Sequence, residues 1–478
     1  MRKTALDANR ATSGKTRGAK SISTRRDFLL GAATAVGAAA VSSSGCMSAG
    51  EGVYIASMAN FACAPLPQVR LGLIGCGARG SIATKRLLHV PGVDIVAVCD
   101  KLPERAEKIA ASVVDGGRAK PRRYSGEEGW KKLCDANDID VMYNCTPWAL
   151  HGKMAVYAMK AGKHALVEVP GVMTIDECWE CVKTAEATRR HCMMLENCVY
   201  GEIELLMLNL ARKGLLGEIV HGEGGYIHDR RVSVFDDVYP EHWRLRWNVD
   251  HPGNQDATHG LGPLANAMDL GRGDRMGYLV SLESGGFNYP IAAKKQFPAD
   301  SWKRRLEFQS GDCNTTLIRT VRGRSITLVH DVASPRVYSR INALSGTEGE
   351  IRDYPLRIFM QHPSIDYAHA HHAWPEKKEI EVLREKYRHP LWKVAGERVK
   401  DGKVNDHGGM SWLMDMRWAY CLRNGLPLDM SVYDFADWSA VAELSERSVR
   451  NHSAPQDFPD FTDGSWRTLK PRKLYDAI

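Results

Sequence analysis

Gly75, Gly77 and Gly80 lie in the stretch V-R-L-G-L-I-G-C-G-A-R-G, Val69 to Gly80, with the spacing G-x-G-x-x-G. In that spacing the first glycine makes a tight turn, the second lets backbone approach a pyrophosphate, and the third lets a helix pack on a strand. The helix N-terminus then offers N–H groups to the phosphate charge. The next apolar run, Val93 to Cys99, ends in Asp100. A carboxylate at that distance takes the ribose hydroxyls of NAD and repels the 2′-phosphate of NADP, so NAD is the expected cofactor. Metal chemistry has less support. His369, His371 and His372 sit in one charged, irregular segment without a partner pair at zinc spacing and read as a solvated loop, so no metal site is expected. Cys178-Trp179-Glu180-Cys181 has redox-motif spacing but falls inside a predicted helix, where it reads as packing.

These residues need a parallel sheet to hold them. From Val69 strands and helices alternate: a strand to Ile74, a helix to His89, a strand to Asp100 and a helix from Pro103 to Val114. A short helix near Trp130 to Cys134, the strand Asp140 to Cys145, a helix from His151 to Ala161 and the strand His164 to Val169 come next. A helix from Thr174 to Thr188 and the strand Cys192 to Leu195 complete the series. Such alternation predicts a sheet covered on both faces, with ligands at the carboxyl ends of its strands. That rule selects Asp100, Thr146-Pro147-Trp148, Glu168-Val169-Pro170 and Glu196-Asn197 as one rim. Beyond Tyr200, a helix to Arg212 gives way to the runs Glu218 to Ile227, Met276 to Leu282, Cys313 to Val321 and Arg324 to His330, which predict an antiparallel sheet. Arg352 to Lys403 reads as charged and irregular, and Met410 to Arg423 and Tyr433 to Arg450 as amphipathic helices returning to the first sheet.

The fold class is therefore α/β, an N-terminal Rossmann domain followed by an α+β domain with a large, mostly antiparallel sheet. The expected divisions are 1–46, 47–67, 68–198, 199–404 and 405–478: a signal peptide, a linker, the dinucleotide domain, the substrate domain and the C-terminal helices. The net charge is +7 over 478 residues, but residues 1 to 45 carry eight Lys or Arg against Asp7 and Asp27, so no basic face calls for nucleic acid. Ser23-Thr24-Arg25-Arg26-Asp27-Phe28-Leu29-Leu30 precedes an Ala/Gly-rich apolar run ending near Val41, too short and too weakly apolar for a permanent transmembrane anchor. It resembles a twin-arginine export signal, which implies a periplasmic or envelope-associated protein that acquires its cofactor before export. Ser44-Gly45-Cys46 matches the end of a lipoprotein cleavage box, with Ser43 where a larger aliphatic residue is usual, which makes Cys46 a candidate lipid anchor.

The glycine turn, T-P-W-A-L-H at Thr146 to His151, E-V-P at Glu168 to Pro170, E-N at Glu196 to Asn197, Y-I-H at Tyr226 to His228, T-H-G-L-G-P at Thr258 to Pro263 and H-G-G-M at His407 to Met410 occur in one order. Together they resemble the NAD-dependent glycosidases of glycoside hydrolase family 109, within the glucose-fructose oxidoreductase and inositol dehydrogenase (Gfo/Idh/MocA) superfamily. The resemblance spans Arg70 to Trp466. It implies a cofactor shell of Gly75, Gly77, Ala78, Arg79, Gly80, Asp100, Trp148, Ala149, Leu150, His151, Glu168, Val169 and Asn197. It also implies a sugar site of Tyr226, Arg244, Asp256, Ala257, Thr258, His259 and Tyr338. His259 takes the acid/base role, with His228 the second candidate and Tyr200 a proton donor. A homo-oligomer is implied by analogy, with the second sheet as its surface.

The resemblance further implies a redox-neutral route. The sugar C3 hydroxyl is oxidised by hydride transfer, a base removes the acidified C2 proton with loss of the anomeric substituent, water adds to the enone, and the hydride returns. Ordinary dehydrogenases of the superfamily carry a proton-relaying lysine where Val169 stands, and valine cannot relay. Two positions depart from the family pattern, Asp256-Ala257 in place of Tyr-Pro, and Asn248 where some members carry histidine. Both fall in the sugar segment and bear on N-acetylgalactosamine specificity. Two other functions fit the same residues: a sugar oxidoreductase of the Gfo/Idh/MocA type using NAD or NADP, and a non-catalytic sugar-binding protein.

Overall fold

The structure, a computed structural model, describes residues 57–236, 242–361, 373–400, 404 and 406–472. The twin-arginine segment, Cys46 and the histidines at 369, 371 and 372 lie outside the described residues.

The first part of the chain alternates as expected: β1 Val69–Ile74, α1 Ala78–Leu87, β2 Val93–Asp100, α2 Pro103–Asp115, β3 Arg122–Ser125, α3 Gly129–Asp135, β4 Val141–Asn144, α4 His151–Lys160, β5 His164–Val167, α5 Ile175–Thr188 and β6 Cys192–Met194. The strands form one parallel sheet in the order β3-β2-β1-β4-β5-β6. β4, β5 and β6 are buried along their whole length, as continuous apolar runs with helices on both faces should be. Strand order reverses around β1, so its carboxyl end and that of β4 flank the crevice where such sheets bind ligands. α5 begins with a capping box, Thr174 accepting from Glu177 N while the Glu177 carboxylate accepts from Thr174 N. Cys178 and Cys181 are both buried in it as free thiols, in keeping with a packing role.

The second part runs α6 Glu202–Arg212, β7 Ile219–Ile227, α7 Trp243–Asp250, α8 Thr258–Ala267, β8 Met276–Glu283, α9 Asn288–Gln296, β9 Asn314–Thr320, β10 Ser325–Asp331, β11 Ala343–Gly346, β12 Gly349–Arg352 and β13 Arg357–Met360. α10 Lys377–Tyr387, α11 Pro390–Lys400, α12 Met410–Arg423, α13 Val432–Arg450 and β14 Gln456–Asp457 follow. Its sheet has the order β13-β12-β11-β7-β10-β9-β8-β14, antiparallel at every pairing except β7 with β10. α8 covers β7 so closely that a Cβ on Gly260 would lie 2.3 Å from Gly225 N, and one on Gly224 would lie 2.5 Å from Gly260 O. Glycine is required on both sides of that crossing. On the other face Leu282 and Leu317 are exposed.

α12 and α13 return to the first sheet as expected. Arg86 of α1 reaches Asp415 of α12 at 2.6 Å. Ser439 of α13 donates to Pro170 O at 3.0 Å and accepts from Val172 N at 3.2 Å. α13 also touches the second sheet, Ser448 Oγ accepting from Ser281 N at 2.9 Å. The stretch expected to be irregular is corrected by the structure, since it holds β13, α10 and α11. α10 has its own capping box at Glu376 and Glu379 and anchors on Ile380 and Leu383. Among the described residues no helix is long and apolar enough to cross a membrane.

Candidate active site

The chain leaves β1 at Gly75 with φ +91°, where a Cβ would come within 2.6 Å of the Cys145 backbone. A Cβ on Gly80 would stand 2.0 Å from Gly75 O. Gly77 is different, since a Cβ there would meet only Arg105 Nη1, at 3.6 Å. α1 starts after Gly77 with no side-chain cap and no acid in its first turn, which leaves its first N–H groups to an anion. Asp100 accepts from Cys76 N at 2.7 Å and Leu102 N at 3.0 Å, which fixes its carboxylate at the end of β2. Arg79 Nε meets the buried Glu168 Oε1 at 2.7 Å and ties the turn to the end of β5. A glycine cradle, an uncapped helix start and an acid at the strand end fit a dinucleotide.

Other residues of the expected cofactor shell divide. Trp148 is buried at the rim, Ala149 and Leu150 are exposed, and Val169 is half-buried. Asn197 is buried and donates through Nδ2 to Ser411 Oγ at 2.9 Å. His151 is buried, its Nδ1 lying 2.8 Å from Gly171 O and its Nε2 2.9 Å from Thr146 O, so the ring bridges two loops of the rim.

The sugar-site residues converge on the same rim. His259, the second residue of α8, places Nδ1 2.8 Å from Glu196 Oε1 and 3.2 Å from Cys198 Sγ. The Tyr226 ring from β7 packs against His259 at 4.8 Å between centroids, and Tyr338 stands edge-on to Tyr226 and His228 at 6.4 and 5.3 Å. Arg230 Nη2 donates to Tyr226 Oη at 2.8 Å, and the Tyr226 hydroxyl is hydrogen-bonded to His228 Nδ1 at 2.9 Å. From α7, Arg244 lies 4.5 Å over Trp148, which joins the residues expected to hold a sugar to those expected to hold the cofactor, and 3.9 Å from Asp256. Asp256, Ala257 and Thr258 are all buried. Trp148, Arg230, Arg244, Asn248, Gln255 and His330 line an adjoining cavity. Tyr200 is fully buried, and its hydroxyl donates to Asp429 at 3.1 Å, next to the Arg417–Asp429 pair.

Electrostatics separate the two histidines. Burial works against charge on His259, but Cys198 and Glu196 reverse that and hold its pKa well above the ordinary imidazole value. Burial also works against the Glu196 carboxylate, and His259 outweighs it, keeping Glu196 below its ordinary range. Cys198 is raised by burial, against the pull of His259. His228 is pushed down to about 4 by burial and then by Arg230, and is neutral at pH 7. Because Glu196 holds Nδ1, Nε2 is the His259 atom available to a substrate. Glu196→Gln removes the anion that favours the imidazolium, so the His259 pKa falls. The matching limb of the kcat/KM profile is expected to move to lower pH by roughly one to three pH units, the range of an adjacent opposite charge. An unmoved limb would show that Glu196 does not control His259.

Three site residues escaped the sequence. Cys198 is one residue past the noted E-N pair, and Arg230 follows Y-I-H by two. His330 is at the end of a strand read only as sheet, and burial pushes it down to about 4. Adjacency was the available signal for the first two, and for His330 there was none.

Two family patterns match this chain in tandem. The oxidoreductase family with an NAD-binding Rossmann fold covers residues 69–196, and the C-terminal domain of glycosyl hydrolase 109 covers residues 200–468. An alpha-N-acetylgalactosaminidase of Bacteroides fragilis is 45% identical over 407 residues, 84% of this chain and 94% of the relative. An oxidoreductase domain protein from Kribbella flavida shares the fold with TM-score 0.63 at 16% identity, covering 82% of this chain and 100% of its own. The WlbA dehydrogenase from Bordetella pertussis, solved with NADH and UDP-GlcNAcA, matches with TM-score 0.57 at 15% identity, over 82% and 98% of the two chains.

Proposed function

The chain belongs to glycosyl hydrolase family 109, and on that premise we propose that it cleaves a glycoside through transient oxidation at the sugar C3, with NAD rather than NADP as its resident cofactor. The observation that carries the proposal is the dyad of His259 and Glu196, 2.8 Å apart, which joins the sugar segment to the end of the nucleotide-binding sheet. Bound NAD⁺ supplies hydride acceptance from C3 and its later return. Gly75, Gly77, Gly80, the start of α1 and Asp100 would hold it.

The chain's own groups divide the remaining work. In its deprotonated form His259 takes the C2 proton at Nε2, and Glu196 steadies the resulting imidazolium through Nδ1–H. Tyr226 Oη, hydrogen-bonded to His228 Nδ1 at 2.9 Å, can receive a sugar hydroxyl proton as it passes its own to His228. That relay stands in for the lysine replaced by Val169. Trp148 and Tyr226 offer flat apolar surface to a pyranose, with Arg230, Arg244 and Asp256 for its hydroxyls. The Bacteroides fragilis relative makes an N-acetylgalactosaminide the first substrate to try.

Export and assembly belong to the same proposal. The Arg25-Arg26 segment supports twin-arginine export to the periplasm or envelope, with Cys46 as a lipid anchor, and a redox-neutral cycle suits a compartment without a nicotinamide pool. The face carrying Leu282 and Leu317 supports pairing with a second copy of the chain.

The test is a panel of aryl glycosides with purified protein and no added cofactor, following aglycone release and reduced-nicotinamide absorbance together. Many turnovers without accumulating NADH are expected. A single burst of NADH that stops until an acceptor is added would make the protein an oxidoreductase.

A further inference from the structure

Glu196 Oε1, Cys198 Sγ and His259 Nδ1 all lie within 4.8 Å of one another. Their pairwise approaches are already close, 2.8 Å from Nδ1 to Oε1 and 3.2 Å from Nδ1 to Sγ. A tetrahedral zinc ion with bonds of about 2.0 Å to nitrogen and about 2.3 Å to sulfur holds those two atoms about 3.5 Å apart. Outward shifts of a few tenths of an ångström would therefore admit the ion.

We propose that these three side chains form a binding site for a thiophilic divalent cation of the Zn²⁺ class, and that its occupation switches the active site off. The inhibitory half rests on His259 serving as the acid/base. One thiolate, one imidazole and one carboxylate match zinc and reject calcium or magnesium, which require oxygen ligands. Three protein ligands leave a fourth position for water. The ligands are fixed before any ion arrives. Glu196 caps the turn that carries Cys198, accepting from Cys198 N at 2.9 Å, and His259 is anchored in α8.

From the imidazolium form of His259, binding displaces two protons to solvent, one from the Cys198 thiol and one from Nδ1. From the neutral form it displaces one, the Nδ1 proton moving to Nε2, and either way two anionic ligands surround a doubly charged ion. The imidazole then bonds the metal through Nδ1 and carries its remaining proton on Nε2. In that tautomer Nε2 is a donor and cannot accept the C2 proton, so inhibition follows from ligation itself.

The test uses the full-length protein as purified, first without substrate. Titration with Cd²⁺ is expected to give one equivalent of tight binding with an ultraviolet thiolate-to-cadmium charge-transfer band. In Cys198→Ser the band should vanish and affinity fall by more than the roughly 10- to 100-fold that loss of an outer-shell partner costs. In the unaltered protein, Zn²⁺ should protect Cys198 from alkylation, read by peptide mass spectrometry, which needs no folded variant. Zn²⁺ should also halt aglycone release, with recovery on chelation. A band that persists in Cys198→Ser, or alkylation of Cys198 unaffected by Zn²⁺, would overturn the site. Because the band and the alkylation are read without substrate, metal binding in a protein that cleaves no aryl glycoside would sink the glycosidase proposal and leave the site standing.

Discussion

His259→Ala is expected to slow aglycone release by about 10²- to 10⁴-fold, the usual worth of a positioned general acid/base. The loss should appear in kcat, because the ring's work is done on a proton in flight, while the glycine cradle and Asp100 keep their hold on the dinucleotide. Cofactor content of the purified variant, measured after denaturation, should therefore match the parent. His228→Ala should cost less, since His228 reaches the sugar only through the Tyr226 hydroxyl. An unchanged rate in His259→Ala would remove the acid/base assignment and the inhibitory role of metal ligation with it.

The second large effect is on stability. Arg86 is 2% exposed and binds Asp415 at 2.6 Å, Asp406 at 2.7 Å and the Tyr143 hydroxyl at 3.0 Å. Asp415 is fully buried, and burial lifts its pKa above the ordinary range even against the pull of Arg86. Arg86→Ala strands that carboxylate in the core and is expected to cost about 3 to 5 kcal/mol of folding stability, read from urea unfolding midpoints. The pH dependence has a definite sign. Without Arg86 the folded-state pKa of Asp415 rises further above its unfolded value, so the native state binds more protons than the unfolded state and stability falls as pH rises. The deficit should be larger at neutral pH than in mild acid. Arg86→Lys should recover only part of it, because one ammonium cannot reproduce the planar fork that reaches three partners.

What the sequence made legible follows periodicity. β1, β2 and β4 to β6 were visible as apolar runs, and the Gly75 turn as a spacing with a mechanism. β3 was not, because Arg122 to Ser125 is an edge strand with mostly exposed side chains and no alternation to detect. α8 was hidden by its own chemistry. Gly260, Gly262 and Pro263 are poor helix formers, and Gly260 is demanded by the backbone of β7 rather than by the helix. α10 was masked by charge, with only Ile380 and Leu383 buried in it. The site was legible where a motif marks a position, as T-H-G-L-G-P does for His259 and E-N for Glu196, which meet at 2.8 Å. It was illegible where the role depends on what folding brings alongside. Cys198 matters because His259 arrives from 61 positions away, and Tyr200 because Asp429 claims its hydroxyl from 229 positions away.

The return of α12 and α13 to the first sheet bears on how the protein is made. Asp415, Ser439 and Glu443 hold Arg86, Val172 and Ile175 across separations of 329, 267 and 268 residues. A chain emerging from the ribosome completes β1 to β6 long before those partners exist. For most of its synthesis the sheet keeps an apolar face uncovered and Arg86 without its acids. The packing of the first sheet thus waits on about the last seventh of the polypeptide, from α12 onward. A nascent chain in this condition is a natural client for chaperones, and a protein cut short before α12 would be a target for proteases rather than a smaller enzyme.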